Sequence, residues 1–444
     1  MTTETTPPPA SAAGATVPAE RTRIEGKSVI AGLSGIFVEL YDNAIYGFLA
    51  GTLALVFFPA DNAGTGLFLT LVAFGIPFFI RPLGAAVGGH WGDRIGRRKV
   101  LIFLVTTMSV ATGAIGLLPG AAQIGIIAPI ALVLLRFVQG FSMGAETGNA
   151  NSYLSENAPH GKRGQVVSYA NAATFLAMMV GTFFAAGLMA GLGQETMTEW
   201  GWRLPFLVAL PLGLVALWVR MSAGESPEFE KVETKNLVVT NPLKEAFLDK
   251  AGRRGMLLTI LLPLFNSSGY FILFIYMPSF MTSQLKFESV QALTITGLAL
   301  LVGAPFSLLA GRLSDRFGRR PLLAGSSFAM VVLGLPCYWL LTQGSFATAL
   351  IGTVIMSIVF AGTFGVVQST MTELFPTRFR TAAYGFGYNI GTAIFGGAAP
   401  ALIAGLIAAT GSIWVPAFYL IVTSLVAGIT ALRIRETAFT PLPE

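Results

Sequence analysis

Hydrophobic residues in this chain come in long runs that are apolar on every side, separated by short polar breaks. A helix on a soluble protein shows an apolar stripe with a polar face opposite. Here many runs exceed the roughly 18 to 20 residues that carry a helix across a bilayer. The pattern predicts twelve spans. Six lie at 28–57, 67–90, 100–119, 127–150, 165–192 and 204–221, and six at 256–283, 290–311, 321–341, 346–370, 382–409 and 413–433. The fold expected is an all-α membrane protein of two six-helix bundles, 28–221 and 255–433, joined by a polar cytoplasmic linker at 222–254. Residues 1–27, rich in Thr, Pro and Ala, are expected to be a disordered tail, and 434–444 a short second tail. The first apolar run is too long for a secretory signal, and no small-residue cleavage site precedes it.

The polar breaks repeat. Gly89-His-Trp-Gly-Asp93-Arg94-Ile-Gly96-Arg97-Arg98 returns 222 residues later as Gly311-Arg-Leu-Ser-Asp315-Arg316-Phe-Gly318-Arg319-Arg320, each between two apolar runs. Glu156-Asn-Ala-Pro159-His-Gly-Lys-Arg163 is echoed 217 residues on by Glu373-Leu-Phe-Pro376-Thr-Arg-Phe-Arg380. Two repeats at nearly one offset imply two halves of like orientation. Their pseudo-two-fold axis runs along the membrane normal, and a site lies between them at mid-depth.

Composition agrees. Charged residues are 11% of the chain, against about 25% in soluble domains, and the mean hydropathy is +0.70. The net charge of +6 does not mark a nucleic-acid partner, because the basic residues sit in short loops. Of 28 Lys and Arg, 24 fall at 21–27, 94–99, 162–163, 220–254, 312–320, 378–380 and 433–435, all on one side of the predicted topology. By the positive-inside rule that side is cytoplasmic. Both termini are then inside a multi-pass protein of the cell's inner (plasma) membrane, which requires an even number of spans. The single cysteine, Cys337, cannot form an internal disulfide, and His90 and His160 lack metal-ligand spacing. No phosphate-binding loop appears, which argues against direct use of ATP.

Ionisable groups inside the spans carry the candidate chemistry. Glu39, Asp42, Asn43 and Tyr46 share one face of the first span, with Tyr41 beside them. A lone carboxylate at mid-bilayer costs about 2.5 to 3.5 kcal/mol, so two acids on one face imply a wet cavity or partners. Glu39 and Asp42 are candidates for proton coupling; permanent pairing with an arginine is the alternative. Arg136, Gln139, Met143, Glu146 and Asn149 lie on one broad face of the fourth span. Arg136 could clamp a substrate carboxylate, or pair with Glu39, Asp42 or Glu146. Arg81, before Pro82, is a further candidate for substrate contact. The second half offers Asn266, Ser267, Tyr270, Gln368, Tyr388 and Asn389 but no full charge at the centre of its spans. A zwitterion suits such a site: its carboxylate would meet Arg136 or Arg81 and its cation the tyrosine rings. In the repeated loops, Asp93 and Asp315 can sit at helix N-termini, where negative charge is favoured. Arg94, Arg97, Arg316 and Arg319 would bridge to neighbouring helix ends, making a cytoplasmic gate; charge that serves only to orient the spans is the alternative.

The motif Gly-x-x-x-Asp-Arg-x-Gly-Arg-Arg after the second and eighth spans resembles the signature of the major facilitator superfamily, as does Arg136-x-x-Gln139-Gly140. More narrowly, the chain is similar to the metabolite:proton symporter branch. The similarity lies in Glu39-Leu-Tyr41-Asp42, Ile45-Tyr46-Gly47, Arg81-Pro82-Leu83-Gly84, Gln139-Gly140-Phe141-Ser142 and Trp200-Gly201-Trp202-Arg203. Tyr276-Met-Pro278-Ser279-Phe280 and Arg435-Glu436-Thr437-Ala438 most resemble its proline/glycine betaine symporters. The resemblance implies a secondary active transporter, not an enzyme, working by alternating access. It would need no cofactor beyond the proton gradient, and would act as a monomer on protons and a small solute. Symport of α-ketoglutarate or citrate is the alternative, and a drug:proton antiporter of the same fold is a more distant one.

Overall fold

The computed structural model describes residues 26–60, 63–95, 97–156, 158–159, 161–222, 242–376, 380–440 and 442. The first tail and most of the linker lie outside them. Among the described residues every regular element is helical. Among the described residues nine helices are long and apolar enough to cross a bilayer, a bent pair makes a tenth, and two shorter apolar helices, Ile102–Leu117 and Arg203–Val219, occupy the positions of the remaining two predicted spans.

The first half holds spans one (Gly26–Phe48, then Ala50–Phe57), two (Ala63–Ile95), three (Arg97–Leu117), four (Ile127–Glu156), five (Arg163–Thr196) and six (Arg203–Ser222). Span one is not the single helix its apolar run predicts. It bends by 67° at Leu49, between Gly47 and Gly51, where the helix is intrinsically weak. Gly47 also seats span seven: a Cβ there would stand 2.3 Å from Ile275 Cγ2. Spans two and four cross through Gly140 and Gly144. Added Cβ atoms would lie 2.4 Å from the Pro77 backbone and 2.0 Å from the Arg81 carbonyl oxygen. This is the small-xxx-small packing that lets membrane helices approach closely.

In the second half a short helix, Pro242–Leu248, leads to Asp249. The Asp249 carboxylate accepts the Gly252 N–H at 3.2 Å, the geometry of an N-cap. Span seven therefore starts at Lys250, not near 256, because capping and not hydropathy sets a helix end. It runs Lys250–Leu261, Leu264–Tyr270, a π-helical turn Phe271–Tyr276, and Met277–Ser283. The break falls at Pro263, which has no N–H to donate. Spans eight (Ser289–Phe317), nine (Arg319–Leu341), ten (Phe346–Thr372), eleven (Arg380–Thr392, a π turn Ala393–Gly397, Ala399–Thr410) and twelve (Val415–Arg433) follow.

The halves meet most closely where span five crosses span eight. A Cβ on Gly311 would be 2.5 Å from Ser168 Cβ, and one on Gly164 would be 2.6 Å from the Gly311 carbonyl oxygen. The first glycine of the repeated loop motif is thus required by contact between the two halves.

Candidate functional site

Between the halves lies a cavity of about 100 Å³. Glu39 and Asn43 of span one, Phe78 and Arg81 of span two, and Asn171 and Thr174 of span five form one wall. Asn266, Tyr270 and Phe271 of span seven, Gln368 of span ten and Tyr388 of span eleven form the other. Arg81 donates from Nη2 to Glu39 Oε1 at 2.8 Å, with both side chains more than nine-tenths buried. Its guanidinium also lies over the Phe78 ring, 4.6 Å from the centroid. Phe78 meets Phe271 edge to face at 4.7 Å, so an aromatic contact joins spans two and seven beside the charged pair.

Asp42 faces the other way. Gln139 Nε2 donates to Asp42 Oδ2 at 2.7 Å and to Thr112 Oγ1 at 2.8 Å. Arg136 donates to Gln139 Oε1 at 2.9 Å and to the Phe74 carbonyl at 3.2 Å. Its guanidinium is 3.9 Å from Asp42 Oδ2 and 4.4 Å from the Tyr46 ring centroid. Tyr46 donates its hydroxyl to the Thr70 carbonyl and Tyr41 to the Pro205 carbonyl. These groups form a second buried charge cluster inside the first half, behind the cavity wall.

Of the residues expected at the substrate site, the structure brings Arg81, Asn266, Tyr270 and Tyr388 into the wall. Tyr41, Tyr46, Arg136 and Gln139 stand out of it, because their faces of spans one and four turn into the first half. Asn389 is fully buried and is not part of the wall. The side chains of Glu146 and Asn149 lie outside the described residues. Asn171 and Thr174 were not singled out, although their three-residue spacing places both on one face of span five. Among the described residues no group of three His, Cys, Asp or Glu could hold a metal ion.

Below the cavity, at the end that carries the basic loops, polar contacts tie the halves together. Asn151 of span four donates to the Tyr384 hydroxyl at 3.1 Å, and Tyr384 donates to Gln368. Thr372 donates to Ser155 at 3.0 Å. Asp315 at the foot of span eight accepts the N–H groups of Gly164 and Gln165, each at 2.8 Å. It thereby caps span five from the opposite half. The same carboxylate pairs with Arg319 at 2.8 Å. Arg316 is exposed and lies over the Phe317 ring at 5.3 Å. The side chains of Asp93, Arg94 and Arg97 lie outside the described residues.

Glu373 is the centre of this end, and its residue type in a short motif echo did not announce that role. It is held by Arg163 and Arg319, each at 3.1 Å, and accepts the Thr437 hydroxyl. Arg163 also reaches the Thr440 carbonyl. The tail after span twelve is therefore docked. Glu436 accepts the N–H groups of Arg319 at 2.8 Å and Arg320 at 3.1 Å, capping span nine. Burial pushes the Glu436 carboxyl up, but N–H bonds from Ala438, Arg319, Arg320 and Thr437 outweigh it and hold the group below its ordinary value. Gly318, at φ 102°, leaves room for that carboxylate; a Cβ would be 2.5 Å from Glu436 Oε2.

The sequence model for the Major Facilitator Superfamily matches residues 32–400. The chain is 34% identical over 424 residues to the proline/betaine transporter of Salmonella typhimurium, covering 94% of this chain and 84% of that protein. It is 32% identical over 397 residues to the citrate-proton symporter of Salmonella typhi, covering 88% and 90%. The xylose transporter XylE from E. coli, solved in a partially occluded inward open conformation, superposes with a TM-score of 0.72. That match covers 93% of this chain and 98% of that one at 20% identity, a likeness of fold.

Proposed function

The chain belongs to the Major Facilitator Superfamily, and we propose that it imports a small carboxylate-bearing solute of the proline/glycine betaine type together with a proton. The protein is a multi-pass membrane transporter. The observation that carries the reading is the division of its buried charges. Arg81 and Glu39 line the cavity between the halves, whereas Asp42 and Arg136 form a separate cluster behind it. One site can then take the solute and the other the proton.

In this reading the solute carboxylate is held by Arg81, where a planar guanidinium can offer two parallel N–H donors. Asn266, Tyr270 and Tyr388 close over it from the second half. A proton on Asp42 removes its charge attraction for Arg136 and weakens the hydrogen bond it accepts from Gln139. That loosens span one against spans three and four, the rearrangement that links the proton to the movement of the halves. Asp315, Arg319, Glu373 and Arg163 form the cytoplasmic gate, with Asp93, Arg94, Arg97 and Arg316 as its remaining members. Opening the gate requires Asp315 to leave the N-terminus of span five. The transporter works as a monomer in the inner (plasma) membrane, with both termini cytoplasmic and no cofactor beyond the proton gradient. The halves are 28–221 and 255–433, with 222–254 between them.

Citrate or α-ketoglutarate is the second reading, supported by the similarity to a citrate-proton symporter. Against it, Arg81 is the one cation among the described cavity residues and is already matched by Glu39. Proteoliposomes with an imposed inward proton gradient, offered labelled proline, glycine betaine, ectoine, α-ketoglutarate and citrate, test the assignment. Accumulation that collapses with the gradient is expected for the zwitterions. Gradient-driven uptake of none of the panel would overturn the carrier reading.

A further inference from the structure

We propose that Glu39, with Arg81, forms a split-charge site that opens to receive a zwitterion: Arg81 takes the carboxylate, and Glu39 takes the ammonium. The inference rests on the carrier reading above and assigns Glu39 to the solute and not to the proton.

Among the described residues the cavity wall holds one acid and one base, and they face each other at 2.8 Å. Its remaining polar lining is not saturated. Among the described residues Arg81 Nε, Asn43 Oδ1, Asn266 Oδ1 and the Tyr270 hydroxyl are buried without a hydrogen-bond partner. Buried polar atoms normally find partners, and here four of them border one cavity from both halves. Such a lining suits a small polar ligand, not an apolar drug. Phe78, Tyr270, Phe271 and Tyr388 add aromatic surface to the same cavity, the surroundings in which organic cations are held.

Charge balance then selects the ligand class. When the cavity is empty, Glu39 and Arg81 neutralise each other, so the unloaded carrier can rearrange without an exposed buried charge. A zwitterion inserted between them replaces one ion pair with two and leaves the net charge at zero. A monoanion on Arg81 would strip Glu39 of that partner, and a dicarboxylate would set a second anion beside it. A simple cation on Glu39 would leave Arg81 in the same position. Desolvated charges that lose their partners are strongly penalised, so analogues with a single charge are rejected. Asp42, three residues along span one, points into the other cluster and stays clear of the solute.

Three solutes of nearly one shape separate these terms: proline carries both charges, cyclopentanecarboxylate only the anion, and prolinamide only the cation. Competition against labelled zwitterion uptake in proteoliposomes of the full chain is the readout. Wild type should prefer proline over either analogue by at least about tenfold. Glu39→Gln should raise cyclopentanecarboxylate relative to proline by a similar factor, and Arg81→Gln should raise prolinamide. A Glu39→Gln protein that keeps the preference for proline but loses its pH dependence would overturn the proposal and assign Glu39 to the proton. Should that variant fail to reach the membrane, Glu39→Asp keeps the charge with a shorter reach. It should retain the proline preference with a higher half-saturation concentration; an unchanged value would overturn the proposal. If wild type accumulates citrate or α-ketoglutarate and none of the zwitterions, the carrier reading stands and this inference falls. If it accumulates nothing, both fall.

Discussion

Glu373, which ends span ten at its C-cap, stands 3.1 Å from Arg163 at the start of span five, an ion pair that crosses between the two halves with both side chains buried. The same carboxylate holds Arg319. Removing its charge leaves two guanidinium groups facing a neutral amide. Loss of one partner from a buried ion pair costs about 3–5 kcal/mol, and in the cytoplasmic gate proposed above that penalty falls on the closed state alone. Glu373→Gln should therefore shift the carrier toward the inward-open state. With Cys337→Ala as background, a cysteine replacing Thr174 in the cavity wall reports this. It should react at least about tenfold faster with an impermeant thiol reagent applied from the cytoplasmic side. Unchanged labelling would remove Glu373 from the gate.

Asp42→Asn fixes residue 42 in an uncharged form, as a bound proton would, and leaves Arg136 without its counter-charge. Accumulation driven by an imposed pH gradient should be lost, while exchange of labelled for unlabelled solute across the same membrane persists in part. Gradient-driven uptake equal to wild type would exclude Asp42 as the coupling group.

Arg136→Lys tests the separation of the two clusters. Lysine keeps the charge but cannot reach Gln139 and the Phe74 carbonyl together while lying over the Tyr46 ring. Since Arg136 lies behind the cavity wall, the maximal rate should fall by about tenfold or more with less than about threefold change in half-saturation. The reverse pattern would place Arg136 on the solute.

Gly144→Ala sets a methyl group 2.0 Å from the Arg81 carbonyl oxygen. Backbone cannot swing aside as a long side chain would, so spans two and four must part. Overpacking of this kind costs about 1–3 kcal/mol, and it displaces the residue that carries the cavity's positive charge. The detergent-solubilised variant should melt several degrees lower. Gly187→Ala, with nothing within 4 Å of the added atom, should melt no lower than wild type. Equal melting of both variants would contradict the helix crossing.

Docking of the C-terminal tail should depend on pH in one direction. The Glu436 carboxyl is held below its ordinary value by four backbone N–H groups. Its contribution is complete above the unfolded glutamate pKa, about 4.3. It is lost as pH falls through the lower, docked value. Hydrogen exchange at the Arg319 and Arg320 amides, corrected for intrinsic rate, should be flat from neutral to mildly acidic pH and then accelerate. Glu436→Gln should bring fast exchange at neutral pH; protection equal to wild type in that variant would refute the cap.

Much of this architecture is legible along the chain. Twelve apolar runs, the doubled loop motif and the one-sided basic residues lead directly to two six-helix halves. The acid and the glycine of the second loop also have visible purposes, since Asp315 caps span five and Gly311 admits it. Breaks inside spans are less visible, because at Leu49 and Pro263 the apolar run continues while the helix does not.

Hydropathy determined the spans because hydrocarbon admits only backbones that satisfy their own hydrogen bonds, and a long apolar run has one such solution. It could not determine azimuth. Glu39 and Asp42 share a face by helical spacing, yet one turns to Arg81 in the cavity and the other to Gln139 and Arg136 inside the first half. Which neighbour a helical face meets depends on how spans distant in the chain pack, through contacts such as Gly144 against Arg81 and Gly47 against Ile275. Only the tertiary structure therefore separated the cavity from the second charge cluster and joined Glu373, Arg163 and the tail into one network.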